Sequence, residues 1–190
     1  LWGSSSSDES KPKNLTTTEK AEVFANEKGW VVRAGSARTG NGNTSATPEV
    51  LVAIGGLATA LAAATISSTE WDISEFDVSA GGTLSVTVNY NEQITVAGSP
   101  TIAVTNSQAG GGSAASLTLT KSAATANTVT FTLVVGAGGS TISADDVLSI
   151  AAQNVALAGG TITDTVASSA AAVAISAAAG AGAGTITAVA

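Results

Sequence analysis

The sequence predicts a mainly β protein: an antiparallel β-sandwich over residues 65–190, preceded by an extended N-terminal arm with one short helix. Three observations predict it. From Ala64 onward, apolar residues recur at every second position. Glycine-rich turns interrupt that alternation about every 8 to 12 residues, the rhythm of a sandwich. Before residue 49, by contrast, two polar runs, Ser4 to Ser10 and Gly40 to Thr47, have no apolar face to bury.

Taken in order, residues 1–48 read as a docking arm. Thr16-x-x-Glu19 has the spacing of a capping box, good helix formers follow, and Gly29 suits a left-handed C-terminal cap, so a helix of about three turns is expected. Its apolar side, Ala21, Val23, Phe24 and Ala25, is narrow, and such a helix forms only against a neighbour. Trp30-Val31-Val32 follows as a short extended segment. Residues 49–64 form an apolar connector, a strand from Val50 to Ile54 stopped by Gly55-Gly56 and followed by an Ala-rich turn or short helix. The uncharged run from Val50 to Ile66 is 17 residues long, at the lower limit for a membrane span, but its Ala, Gly and Thr content makes it weakly hydrophobic.

In the sandwich, Leu84, Val86, Val88 and Tyr90 alternate with Ser85, Thr87 and Asn89 in the half-buried strand pattern. Ile94 and Val96, Ile102 and Val104, and Leu117 and Leu119 continue it, and Val129, Phe131, Leu133 and Val135 form the cleanest alternation. Further strands are expected at Val147–Ile150, Val155–Leu157, Thr161–Thr163, Ala172–Ser176 and Thr185–Val189. Gly81-Gly82, Gly110–Gly112, Gly136–Gly139 and Gly159-Gly160 separate most of them. Around Ala170–Ala183, glycines oppose helix, so two edge strands joined by a flexible GAGAG loop are expected.

Composition removes whole classes of chemistry. The chain has no Cys, His or Met, which excludes thiol chemistry, His-dependent triads, the usual zinc and iron–sulfur sites, and disulfides. Six of the seven cations lie in residues 1–38 beside five acids. Residues 39–190 hold nine acids against Lys121 alone, so the body is an acidic particle that repels phosphate backbones, and no nucleic-acid partner is expected. No secretory signal opens the chain as given, no membrane partner is expected, and no cofactor is called for.

Few clusters invite chemistry. Asp145-Asp146 with Asp77 or Asp164 offers carboxylates for calcium, set against a solvated turn ahead of a strand. Glu70, Asp72, Glu75 and Asp77 alternate around apolar residues, either as paired catalytic carboxylates or as an edge strand facing charge outward. Lys121-Ser122 as a nucleophile pair is opposed by the opposite orientation of adjacent strand residues. Lys121 with Asn127 and an acid is a candidate for an intramolecular isopeptide bond. Two of the three tryptophans lie in the arm, where a large ring is either a plug against the chain's own sandwich or an anchor into a partner. The partner-binding candidates are Trp2, Phe24, Trp30, Arg33 and Arg38.

Two resemblances bear on function. TLSVTVNYNEQITVAGSPTIAVT (Thr83–Thr105), NTVTFTLVV (Asn127–Val135), ADDVLSI (Ala144–Ile150) and NVALAGGTITD (Asn154–Asp164) resemble bacterial Ig-like domains of surface and virion proteins, which implies an Ig-like sandwich. Asp164 is followed by TVASSA instead of the Gly-Asn turn frequent there, which argues against a calcium site. The opening LWG, the segment GWVVRAG (Gly29–Gly35) and the block ATPEVLVAIGG (Ala46–Gly56) resemble structural proteins of contractile-tailed marine cyanophages. That resemblance implies a non-enzymatic virion component made in the host bacterial cytoplasm. The leading expectation is a capsid decoration protein, its arm inserted among major capsid subunits, with copies of itself as further partners. A neck or tail accessory, or an adhesin whose loops Ser107–Ser113 bind glycans, are the alternatives.

Overall fold

The computed structural model describes residues 11–26, 28–53, 63–138 and 140–190. The architecture is mainly β, with two short helices, and forms a β-sandwich carrying a smaller sheet at its N-terminal side.

The N-terminal part departs from the expected arm. Helix α1 (Thr17–Glu22) begins with the expected capping box: Glu19 N donates to Thr16 Oγ1 at 3.2 Å and Thr16 N to Glu19 Oε2 at 2.8 Å. It lasts six residues and not three turns, because Val23 is already extended. Strand β1 (Val23–Asn26) pairs antiparallel with β2 (Gly29–Val32), and β2 pairs with β3 (Glu49–Ala53). Gly29, expected as a helix cap, instead leaves the β1–β2 hairpin at φ 121°, a conformation open to glycine. The segment VFAN buries on both faces only as a strand: Val23 and Ala25 pack with Trp30 and Val32, while Phe24, opposite Val31, is fully buried on the other side. Tertiary packing thus overrides the helix propensity of the run. A boundary at residue 48 falls next to β3, so arm and connector contribute strands to one sheet. The expected turn or helix beyond Gly55-Gly56 lies outside the described residues.

The sandwich strands are β4 (Ile66–Trp71), β5 (Phe76–Asp77), β6 (Gly82–Tyr90), β7 (Ile94–Ala97), β8 (Thr101–Asn106), β9 (Ser116–Thr125), β10 (Thr128–Val135), β11 (Val147–Ser149), β12 (Gln153–Asn154), β13 (Thr161–Asp164), β14 (Ala174–Ile175) and β15 (Thr185–Val189). Eight of them form one sheet in the order β4-β6-β10-β9-β8-β11-β15-β5, and β7–β13 and β12–β14 are antiparallel pairs. The register places Leu84 opposite Leu133, Val86 opposite Phe131 and Val88 opposite Val129. Leu148 and Ile186, near the far end of the long sheet, belong to the same buried cluster as Leu84, Val86 and Phe131. Ile162 and Ile175 from the short pairs complete it, so all three sheets enclose one core.

The Ala-rich tail also differs from expectation. The first three residues of GAGAG are not a loop between strands but the end of helix α2 (Ala177–Gly182), capped by Ser176, whose Oγ accepts from Ala179 N at 3.1 Å. Thr69 Oγ1 donates to Ala179 O at 2.7 Å and ties the helix to β4. A Cβ on Gly180 would stand 2.4 Å from Ile150 O, so this glycine permits a close approach that outweighs its poor helix propensity. Among the described residues no helix is long and apolar enough to cross a membrane, and Val50–Ala53 lie in β3.

Candidate functional site: the seam between the small sheet and the sandwich

Strand β6 carries apolar residues inward and polar ones outward, and the small sheet docks where the outward polar residues are buried. Asn89 is inaccessible to solvent; its Oδ1 accepts from Arg33 Nη2 at 2.6 Å, and its Nδ2 donates to Ser68 Oγ and Glu70 Oε1 at 3.2 and 3.1 Å. Arg33 Nη2 also reaches Ala21 O at 3.3 Å. Burial lowers the Arg33 pKa, opposed by the acids Glu70, Glu22 and Asp72. Beside it lies a cavity of about 230 Å³ lined by Arg33, Ala34, Thr44 and the hydroxyl-bearing Thr87, Thr125, Thr128 and Thr130.

Backbone bonds complete the seam. Ala25 N donates to Asn91 O at 2.9 Å and Gln93 N to Ala25 O at 3.2 Å, a short parallel bridge around Glu92. Thr65 N and Oγ1 both donate to Asn91 Oδ1, at 2.6 and 3.1 Å. Glu92 itself is buried, hydrogen-bonded to the buried Asp164. Asp164 also accepts from Ala64 N at 3.1 Å and from Val166 N and Ala167 N at 2.8 Å each. Burial first, then the Asp164 carboxylate, pushes the Glu92 carboxyl up to about 8.

A second buried acid organises the loops at one end of the sandwich. Asp146 is fully buried and accepts from Asn106 Nδ2 (2.9 Å), Gly110 N (2.8 Å) and Ser143 N (2.9 Å), with Gly112 N a further donor. Burial alone raises its pKa, but these hydrogen bonds win and hold it below the usual carboxylate range. A Cβ on Gly112 would lie 2.1 Å from Asp146 Oδ2, so the Gly110–Gly112 run is what lets the loop wrap the carboxylate.

The sequence candidates distribute as follows. Trp2 lies outside the described residues. Phe24 and Trp30 are fully buried in the chain itself, and Arg33 is committed to Asn89 and Ala21, so these three face inward and not toward a partner. Arg38 is exposed, in a 2.6 Å ion pair with Glu19. The four acids proposed for calcium go to separate places: Asp145 is exposed, Asp146 holds loops, Asp164 meets Glu92, and Asp77 accepts from Ser79 Oγ and Ala80 N in its own turn. Among the described residues no group of three or more acids converges as a metal site would require. Of the four alternating acids, Glu70 on β4 accepts from Asn89 and Asp72 accepts from Ser85 Oγ and Thr87 Oγ1, so these two are tied to β6, while Glu75 is exposed. Ser122 Oγ donates to Thr130 O, and Lys121 on β9 pairs with Phe131 of β10. Asn127 is buried at the β9–β10 turn with Nδ2 on Tyr90 O, which ties the turn to the end of β6 and commits the amide there and not to Lys121.

The buried acids were not singled out as structural by sequence, although a signal existed. Glu92 continues the inward parity of Leu84, Val86, Val88 and Tyr90; Asp146 precedes Leu148 and Ile150 in the same way; Asp164 follows Ile162. No family model, no curated protein and no solved structure matches the chain.

Proposed function

We propose that the chain is a non-enzymatic structural protein of a virion, a capsid decoration protein that attaches through its N-terminal side and presents the acidic sandwich outward. The observation that carries this reading joins sequence to fold. The two blocks that resemble cyanophage structural proteins, GWVVRAG and ATPEVLVAIGG, supply the paired strands β2 and β3, with Trp30 opposite Val52 and Val32 opposite Glu49. The resemblance therefore covers one structural unit, not scattered positions. The strongly held carboxylates support a scaffold role, because Asp146 and Asp164 spend their lone pairs on backbone amides, which fixes loops and leaves neither of the two as a free base.

With Phe24, Trp30 and Arg33 turned inward, attachment falls to the exposed rim of the small sheet, including Arg38 and the half-exposed Val50, and to residues 1–10 with Trp2. Quantitative mass spectrometry of purified particles tests the reading. Hundreds of copies per particle are expected; tens or fewer would move the protein to the neck or tail, and none would end the virion reading.

A further inference from the structure

We propose that Glu92 and Asp164 share one proton and together form a pH-sensitive latch that holds strand β1 on the sandwich and loosens as pH rises. The latch is independent of the virion reading. Glu92 is 4% exposed and Asp164 1%, and the β7–β13 pairing, with the Thr165 N to Gln93 O bond beside it, brings these two buried acids together; two carboxyls meeting out of water hold a proton between them and do not both ionise. Asp164 accepts from three backbone amides, the environment of a carboxylate. Among the described residues Glu92 has besides Asp164 only a long 3.4 Å contact from Asn91 Nδ2, so it is the member that holds the proton.

Position turns this pair into a latch. Glu92 lies between Asn91 and Gln93, the two residues that clamp Ala25 of β1, and Gln93 O accepts from Thr165 N, the residue after Asp164, at 2.9 Å. Separation of the two carboxyls therefore pulls on the same three-residue segment that carries β1. Among the described residues, Asp164 is the charged group facing Glu92. Ala25 from β1, Ala64 and Thr65 before β4, and Asn91 and Gln93 alongside bring no titratable side chain. Tyr90, two residues back, has its hydroxyl pKa raised by burial and stays neutral.

The sign follows from linkage. The Glu92 carboxyl sits at about 8 in the closed seam and near its ordinary 4.5 when exposed. The closed form is fully favoured below about 4.5, loses ground as pH climbs, and reaches its floor above about 8. One proton gives up to about a tenfold increase in the opening equilibrium per pH unit across that window.

Hydrogen exchange of the full chain between pH 5 and 8, corrected for the intrinsic pH dependence of amide exchange, reads this directly at the Ala25 and Gln93 amides. The wild type is expected to lose protection there with rising pH, by up to about tenfold per unit, and Glu92→Gln to give a flat profile. Asp164→Asn, which removes the facing charge, is expected to shallow the slope and serves if Glu92→Gln does not fold. A pH-independent wild-type profile at Ala25, or the same slope in the substituted chains, would overturn the proposal.

Discussion

Replacing Asp146 with Ala removes a carboxylate that no solvent reaches and strands the groups that point at it. Four donors lose their acceptor: the Asn106 amide and the backbone N–H groups of Gly110, Gly112 and Ser143. A buried donor left unsatisfied costs about 1–3 kcal/mol. Gly110 is exposed and Ser143 half-buried, so water replaces part of the loss there, whereas Asn106 and Gly112 are buried. Two fully stranded donors and two partly rehydrated ones give a destabilisation of about 3–5 kcal/mol. For a chain of this size each kcal/mol moves the melting temperature by roughly 2–4 °C, so a drop of about 6–20 °C is expected by calorimetry at neutral pH. The same experiment with EDTA on the wild type separates a loop-holding carboxylate from a calcium ligand, and chelation is expected to leave the melting temperature unchanged. A substituted chain that melts within about 1 °C of the wild type, or a wild type that EDTA destabilises as strongly, would refute the reasoning.

Other expectations follow from neighbouring features. Because hydrogen bonds depress the Asp146 pKa in the folded chain, its contribution is complete above the ordinary aspartate value and is lost as pH falls through the lowered one; Asp146→Asn is expected to flatten that acid limb in pH-dependent melts. Trp30→Ala opens a cavity at a fully buried site and is expected to cost about 3–5 kcal/mol in denaturant unfolding, without loss of an indole hydrogen bond, since Nε1 has no partner. Gly180→Ala sets a helix-propensity gain of about 1 kcal/mol against a Cβ placed 2.4 Å from Ile150 O, and the clash is expected to win by about 1–2 kcal/mol. Deleting residues 1–48 removes β1 and β2, bares Asn91 O and Gln93 N, and is expected to yield poorly soluble protein.

Legibility in the sequence followed the physics of each segment. The strands of the sandwich were readable because alternation at period two is imposed by a single apolar face, and Leu84–Tyr90 and Val129–Val135 show it in their residue types without interruption. The small sheet was not readable, because Val23–Asn26 is buried on both faces and so carries neither the strand period nor a clean helical one. Its preceding capping box was recognised correctly, but a cap fixes where a helix starts and not how far it runs. Helix α2 was hidden for a different reason: its glycines oppose helix locally, and only contact with Ile150 and Thr69 makes them acceptable. The candidate site was half legible. Asp164 was visible as a candidate carboxylate, but that it meets Glu92 depends on the β7–β13 pairing, which joins Ile94 to Asp164 across 70 residues. Arg33 was read as a cation for a partner because sequence alone does not reveal that Asn89, on a polar strand face, is buried beneath it.

The central claim, that this is a capsid decoration protein attached through its N-terminal side, is tested most directly by cryo-electron microscopy of the native particle. The account predicts repeated density on the outer shell in which the sandwich points away from the capsid and the β2–β3 side, with residues 1–10, meets the major capsid subunits. Density confined to the neck or tail, or a sandwich seated on the shell with its small sheet facing solvent, would contradict it.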